Sequence, residues 1–370
     1  MIIDDVNVFS NGSLMYGSVE AHGGKITGVE ITSEKKEGKR LLLPGFIDIH
    51  LHGSCNFDFL DNKNAISRIS KCLVMNGVTT FMPTLASAPM TTILVTLRNW
   101  MTESAEGADP CSIHLEGPFL SREMKGAQNP EFMRPPSIEE LKEYSRITGG
   151  GIGLVTLAPE LPGAMEFIDY CGDHSIRTSI GHTAADFETA LRSFERGVTI
   201  VNHTYNAMTG LHHRKPGVVG AALTEDAVYC ELIADGIHVS PAAVRILTRM
   251  KPADKIILVT DGIKAQNSSD GEFHTEAFDF NVKDGVASLR DGTLAGSTLT
   301  MDRALGNIMR FAGIGLEHAV PMATANPASA IGLNDRGSIE EGKRADLVLL
   351  SPSLEVKETY VLGKEVYGTG

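Results

Sequence analysis

Five histidines, one glutamate and one aspartate stand where apolar runs of this chain give way to loops, and each could hold a divalent ion or move a proton. Two lie in Phe46-Ile47-Asp48-Ile49-His50-Leu51-His52-Gly53. Side chains alternate along an extended strand, so Asp48, His50 and His52 project from one side, with two imidazoles adjacent just before a glycine. Neutral imidazole is a good ligand for zinc, iron and similar ions. Two ligands do not complete a site; the others at corresponding points are Glu116, His182, His203, His238 and Asp261. A metal lowers the pKa of bound water toward about 7, which makes hydroxide available for attack. A nearby carboxylate such as Asp261 can take the water proton and later deliver it to a leaving group.

The elements that must position these groups are eight short runs rich in β-branched residues: 45–52, 78–85, 111–117, 152–160, 176–183, 198–204, 228–236 and 255–262. Most gaps between them carry a helical pattern. Thr183-Ala184-Ala185-Asp186 reads as a capping box before Phe187, Leu191 and Phe194, Ser137 opens another helix, and Ser240-Pro241 is an N-cap followed by proline. Eightfold alternation predicts a (β/α)8 TIM-like barrel, whose chemistry gathers where strands run into the following loops. An open doubly wound sheet would alternate too, but no glycine-rich dinucleotide turn follows the first run. Residues 1–44 instead alternate as strands, with turns at Asn11-Gly12 and Gly23-Gly24, and residues 336–370 do likewise. Both ends are expected to pair into one small β-sandwich domain. The barrel would span 45–335, with a hairpin insertion near 266–290.

A formal net charge of −13 over 370 residues argues against a general nucleic-acid or anionic-membrane surface, while leaving room for a local basic pocket. The start Met1-Ile2-Ile3-Asp4-Asp5 is unlike a secretory signal, and no run approaches the ~18 apolar residues of a membrane span. The five cysteines are scattered and form no CxxC, which predicts reduced thiols and a cytoplasmic setting. Cys55, close to the histidine pair, is either a ligand or a buried inert thiol.

The run Pro44–Gly53 resembles the HxH signature of the amidohydrolase superfamily. His114-Leu115-Glu116-Gly117-Pro118-Phe119 is more specific, and is similar to the N-acetylglucosamine-6-phosphate deacetylases. So are Gly181-His182-Thr183, His203-Thr204-Tyr205-Asn206-Ala207-Met208, Ala234-Asp235-Gly236-Ile237-His238 and Val259-Thr260-Asp261. The resemblance continues to Gly342-Lys343-Arg344-Ala345-Asp346-Leu347. It implies that Glu116, His182 and His203 hold the main divalent ion (zinc, iron or similar), with Glu116 where other amidohydrolases carry a modified lysine. His50 and His52 would complete a second position, so the cofactor is one or two ions per subunit, two being favoured. Asp261 would be the general base and acid. Gln128, in Gly126-Ala127-Gln128-Asn129-Pro130, stands where the family commonly has a histidine facing the carbonyl. Its amide can donate a hydrogen bond but cannot become cationic.

The densest basic cluster is His212-His213-Arg214-Lys215. Arginine matches phosphate with paired donors. The resemblance points to Arg214 and His238 as phosphate partners, assisted by Asn206 and the Ala207 backbone, with Arg214 a candidate for donation across a homodimer interface. Leu294-Ala295-Gly296-Ser297 resembles a segment lining the sugar pocket, and His114 is expected to fill the barrel interior. The function implied is hydrolysis of the N-acetyl group of N-acetylglucosamine 6-phosphate to glucosamine 6-phosphate and acetate. The alternatives are the galactosamine epimer, another N-acyl amide, and a non-catalytic scaffold on the same fold.

Overall fold

The β-branched runs become strands because residues that fit a pleated, doubly covered surface pack between a barrel interior and a ring of helices. In this computed structural model, which describes residues 1–61 and 63–369, the eight barrel strands are Phe46–Leu51, Val78–Leu85, Ile113–Glu116, Ile152–Leu157, Arg177–Ile180, Ile200–Val201, Tyr229–Leu232 and Ile256–Leu258. They pair in parallel in chain order. The first and last are joined beyond the end of the eighth strand: Asp261 N donates to His50 O (2.9 Å) and His52 N to Gly262 O (2.6 Å). This is the predicted TIM-like barrel. Asp48 reinforces the closure from inside, its carboxylate accepting Thr260 Oγ1–H (2.5 Å) and the backbone N–H of Thr260 (3.3 Å). It therefore braces the wall instead of sharing a cation with His50 and His52.

The helices start as the capping rules require, with one correction. Ser137 accepts from Glu140 N ahead of Ile138–Thr148, and Ser240 from Ala243 N ahead of Pro241–Met250. The fifth-strand helix, Phe187–Glu195, is capped by Asp186, which accepts from Thr189 N (2.8 Å). Thr183 is not its cap, because its hydroxyl is committed to Glu160 Oε2 (2.5 Å).

The chain ends build a seven-stranded sheet. Ile2–Ser10, Ser13–His22 and Lys25–Glu34 meander through the two predicted turns, and Leu41–Pro44 pairs with both Ile2–Ser10 and Leu347–Leu350. Val356–Val361 and Lys364–Gly368, joined by a turn at Leu362-Gly363, complete it. The sheet curls on itself, since Ile26 N donates to Lys343 O and Ala345 N to Gly24 O, both at 2.9 Å. Inside the curl Val6, Val8, Val19, Ile26, Leu42 and Leu349 form a separate apolar cluster, while Leu41, Leu43 and Val348 face the barrel core. A three-stranded antiparallel piece, Gly271–His274, Asp279–Lys283 and Val286–Ser288, follows the eighth strand.

Two sequence expectations change here. Cys55 and Cys72 are joined in a disulfide with Cα atoms 6.4 Å apart, so the five cysteines are not all thiols and Cys55 is no metal ligand. Helix Ala65–Leu73 carries Cys72 beneath the loop that follows His52, a proximity invisible in the spacing. No helix among the described residues is long and apolar enough to cross a membrane.

Candidate metal centre

The strand ends deliver their polar groups to one mouth. Three of these residues sit on left-handed backbone, His182 at φ 45°, His203 at φ 23° and Asp261 at φ 48°. Such backbone costs of order 1–3 kcal/mol each for a non-glycine residue and persists only where the surroundings enforce it. Here it turns each side chain from the strand direction toward the barrel axis.

Two groups of donor atoms result, each with its atoms within 4.8 Å of one another: Glu116 with His182 and His203, and His50 with His52 and Asp261. In the first, Glu116 Oε1 lies 3.2 Å from His182 Nε2 and 3.0 Å from His203 Nε2, and the two ring nitrogens are 3.1 Å apart. In the second, His52 Nε2 is 3.4 Å and His50 Nε2 3.6 Å from Asp261 Oδ1. Glu116 touches both groups, with Oε1 3.4 Å from His50 Nε2 and Oε2 3.2 Å from His52 Nε2. The donor set fits a divalent cation. Two imidazoles and a carboxylate suit zinc, iron and their neighbours. Among the described residues His50 Nε2 is also buried without a hydrogen bond, as expected of a nitrogen that presents its lone pair to an ion.

Outer contacts orient these ligands. His182 Nδ1 lies 2.8 Å from Met124 O, which accepts its proton and leaves Nε2 bare toward Glu116. Gly126 makes room for this: its φ is 56°, and a Cβ there would come within 3.0 Å of the His182 ring. Asn202 Nδ2 donates to Glu116 Oε1 (2.8 Å) and Gln128 Nε2 to Glu116 Oε2 (2.7 Å). Gln128 is thus turned toward the carboxylate, with its own Oε1 held by Ser87 N (2.8 Å). Ser297 N donates to Asp261 O (2.8 Å), which gives the Leu294–Ser297 segment a place beside the acid/base candidate.

Electrostatics follow from this crowding. Burial alone would raise the Glu116 carboxyl, but the fields of His50 and His182 and the hydrogen bonds of His182 and His203 hold it well below the usual range. Asp261 is likewise buried yet lowered, by its hydrogen bond to His52 and the field of His50. His52 shows the converse: burial opposes its charge, yet Asp261 and Glu116 push it up to about 9. His114 is pushed well down by burial and by His50, and its ring nitrogens reach Thr156 Oγ1 (2.8 Å) and Thr84 Oγ1 (3.3 Å) inside the barrel.

Above the donors opens a cavity of about 380 Å³. Asn206, Ala207, His238 and Gln128 line it, as do Phe278 and Phe280 of the three-stranded insertion. His238 Nδ1 is 2.6 Å from Asp235 Oδ2; burial would lower its pKa, but this carboxylate raises it. Among the described residues no lysine or arginine lines the cavity. Arg214 is exposed in a neighbouring depression with His212 and Lys215, its guanidinium 2.7 Å from His213 Nε2, so this chain does not bring it to its own site. The sequence reading missed Glu231, Asn202 and the insertion's aromatic residues. Asn202 was legible only as the neighbour of His203 in the run 198–204.

A closed parallel barrel with histidines and carboxylates converging at its carboxyl-end mouth defines a class, the barrel hydrolases built around divalent ions. The chain belongs to the amidohydrolase family, whose model matches residues 41–366. It is 36% identical over 380 residues to an N-acetylglucosamine-6-phosphate deacetylase of Bacillus subtilis, covering 98% of this chain and 96% of the relative. An N-acetylgalactosamine-6-phosphate deacetylase of Escherichia coli O157:H7 is 34% identical, with 91% and 89% covered. Among solved structures, an Asp-to-Ala mutant of the Mycobacterium smegmatis N-acetyl-D-glucosamine-6-phosphate deacetylase in complex with N-acetyl-D-glucosamine-6-phosphate superposes with a TM-score of 0.93 at 30% identity, covering 99% of both chains.

Proposed function

We propose that this chain hydrolyses the N-acetyl group of N-acetylglucosamine 6-phosphate, releasing acetate and glucosamine 6-phosphate. The observation that carries this reading is the meeting of two ligand groups and Asp261 at one cavity, in a chain similar over nearly its whole length to deacetylases of that substrate. Glu116, His182 and His203 would hold one divalent ion, and His50 and His52 a second beside it. An ion so held supplies an activated water and polarises a carbonyl. Asp261, kept ionised by its imidazole neighbours, accepts the proton of the attacking water and returns it to the amine nitrogen as the C–N bond breaks. Gln128 and Asn202 steady Glu116. The aromatic pair Phe278 and Phe280 narrows the cavity and limits water around the reacting amide.

The phosphate needs a full cation, and among the described residues no lysine or arginine lines the cavity. His238 supplies a partial one, and Asn206 and the Ala207 backbone supply polar contacts nearby. Arg214 is proposed to complete the phosphate site of a second subunit across a homodimer interface, because it is exposed beside Leu211, a large apolar side chain 60% exposed. The galactosamine epimer remains a second reading, favoured by the similar identity to the enzyme from E. coli O157:H7.

Acetate release should be measured with both hexosamine phosphates and with unphosphorylated N-acetylglucosamine. Preference for a phosphorylated substrate supports the reading, and the better epimer identifies the physiological one. Equal rates with and without phosphate would sink it.

A further inference from the structure

Glu231 lies in the seventh barrel strand, in the otherwise apolar run Tyr229-Cys230-Glu231-Leu232-Ile233-Ala234, and it is fully buried. Taking a carboxylate out of water costs several kcal/mol unless it is paired and hydrogen-bonded. No lysine or arginine forms an ion pair with it among the described residues. Its partners are the two ligand strands instead. Oε2 lies 3.0 Å from His50 Nδ1 and accepts the backbone N–H of His203 at 3.1 Å, while the Glu231 carbonyl accepts Thr204 N (2.9 Å). One buried acid therefore ties the imidazole of the first strand to the backbone that carries an imidazole of the sixth.

From this geometry we infer that Glu231 is the positioning residue of the second ion position, holding the His50 proton on Nδ1 so that Nε2 faces the cavity without one. The same contact sets ring orientation. Among the described residues no other polar side chain meets His50 Nδ1, so loss of Glu231 frees the ring to rotate or to move its proton to Nε2. A protonated Nε2 points its hydrogen at the place an ion would take. The first group has its own constraint: the Met124 carbonyl fixes His182, and Asn202 and Gln128 fix Glu116. Removal of Glu231 therefore acts chiefly on the second position, where it holds an imidazole, and reaches the first only through the backbone N–H of His203. This inference rests on the two-ion reading given above.

The test compares the native enzyme with Glu231→Gln and Glu231→Ala, using zinc as the probe. Bound zinc is counted by elemental analysis, affinities are measured by chelator competition, and the His50 tautomer is read from 15N-histidine NMR. The native protein should show His50 protonated at Nδ1 and two zinc-binding steps. In Glu231→Gln, the weaker step should lose about 10–100-fold in affinity, the usual cost of removing such an outer partner, while the stronger step holds within a few-fold. Glu231→Ala should do the same, with a lower melting temperature. Two unchanged steps in Glu231→Gln, or equal losses in both, would overturn the inference. If the native protein binds only one zinc, the two-ion reading fails on its own. The tautomer then still decides: Nδ1–H in the native enzyme but not in Glu231→Gln supports the positioning role, and an unchanged tautomer refutes it.

Discussion

Asp261 is the proposed proton carrier because its carboxylate, on left-handed backbone, lies 3.4 Å from His52 Nε2, not because acids at strand ends are unusual. Asp261→Asn keeps the shape and removes the base. The turnover number should fall by roughly 10²–10⁴-fold, the typical worth of a positioned general base, with KM little changed in steady-state assays. Gln128 makes a different prediction. Its amide nitrogen is spent on Glu116, so Gln128→Ala should weaken the first ion position by about 10–100-fold in chelator competition before it alters substrate affinity. His52 predicts the pH dependence. Its pKa stands at about 9 because Asp261 and Glu116 retain its proton, and an ion must displace that proton. Below about pH 9 the apparent affinity of the His50–His52 position should therefore rise with pH by up to about tenfold per unit for the His52 proton alone, and more steeply where His50, also raised by Glu116 and Glu231, gives one up as well. Affinity that is flat from pH 6 to 9 would contradict this.

Elements decide how these residues meet, and they also decide what a sequence can disclose. The barrel was legible because apolar runs and helical patterns alternate eight times, and the site because six of those runs lead into residues that few structural roles explain, His203 and Asp261 among them. Glu231 was not, because a single acid within Tyr229–Leu232 reads as an outward-facing position until the strand is rolled into a barrel. Asp186 and Thr183 are both good caps, and only the path past Glu160 chose between them. Gln128 stood where a carbonyl partner was expected, but the loop carrying it folds back over Glu116, which local spacing does not encode. The three-stranded insertion was visible as alternation, but its covering of the cavity was not. It has its own apolar cluster, in which the rings of Phe273 and Phe280 stack at 5.2 Å. Phe280→Ala should loosen this unit alone. Amide exchange should quicken across Gly271–Ser288 while the barrel strands keep their protection, and KM should rise as the roof of the cavity opens.

At the scale of the whole molecule, the chain returns to where it began. Arg336 sits at the joint, 9% exposed, donating to Asp109 Oδ2 (2.8 Å), Thr80 Oγ1 (3.1 Å) and Asp335 Oδ1 (2.9 Å). Arg336→Ala takes one cation from Asp109, which is 34% exposed and keeps Arg344 Nη2 at 3.1 Å, and strips a hydrogen bond from buried Thr80, so it should cost about 0.5–3 kcal/mol in urea unfolding. Arg214 belongs to this scale as well. Co-expressing Arg214→Ala with Asp261→Asn should restore about a quarter of native activity if each site borrows its neighbour's arginine, since mixed dimers then hold one intact site. No recovery would return Arg214 to its own subunit. Leu42 lies opposite Leu349, and Pro44 opposite Leu347. On a ribosome the strand Leu41–Pro44 emerges about 300 residues ahead of that partner, a wait of roughly fifteen to sixty seconds at ordinary elongation rates. Throughout that interval one edge of the opening sheet is bare while the barrel is still being made, so the nascent chain has most need of a chaperone at its amino end.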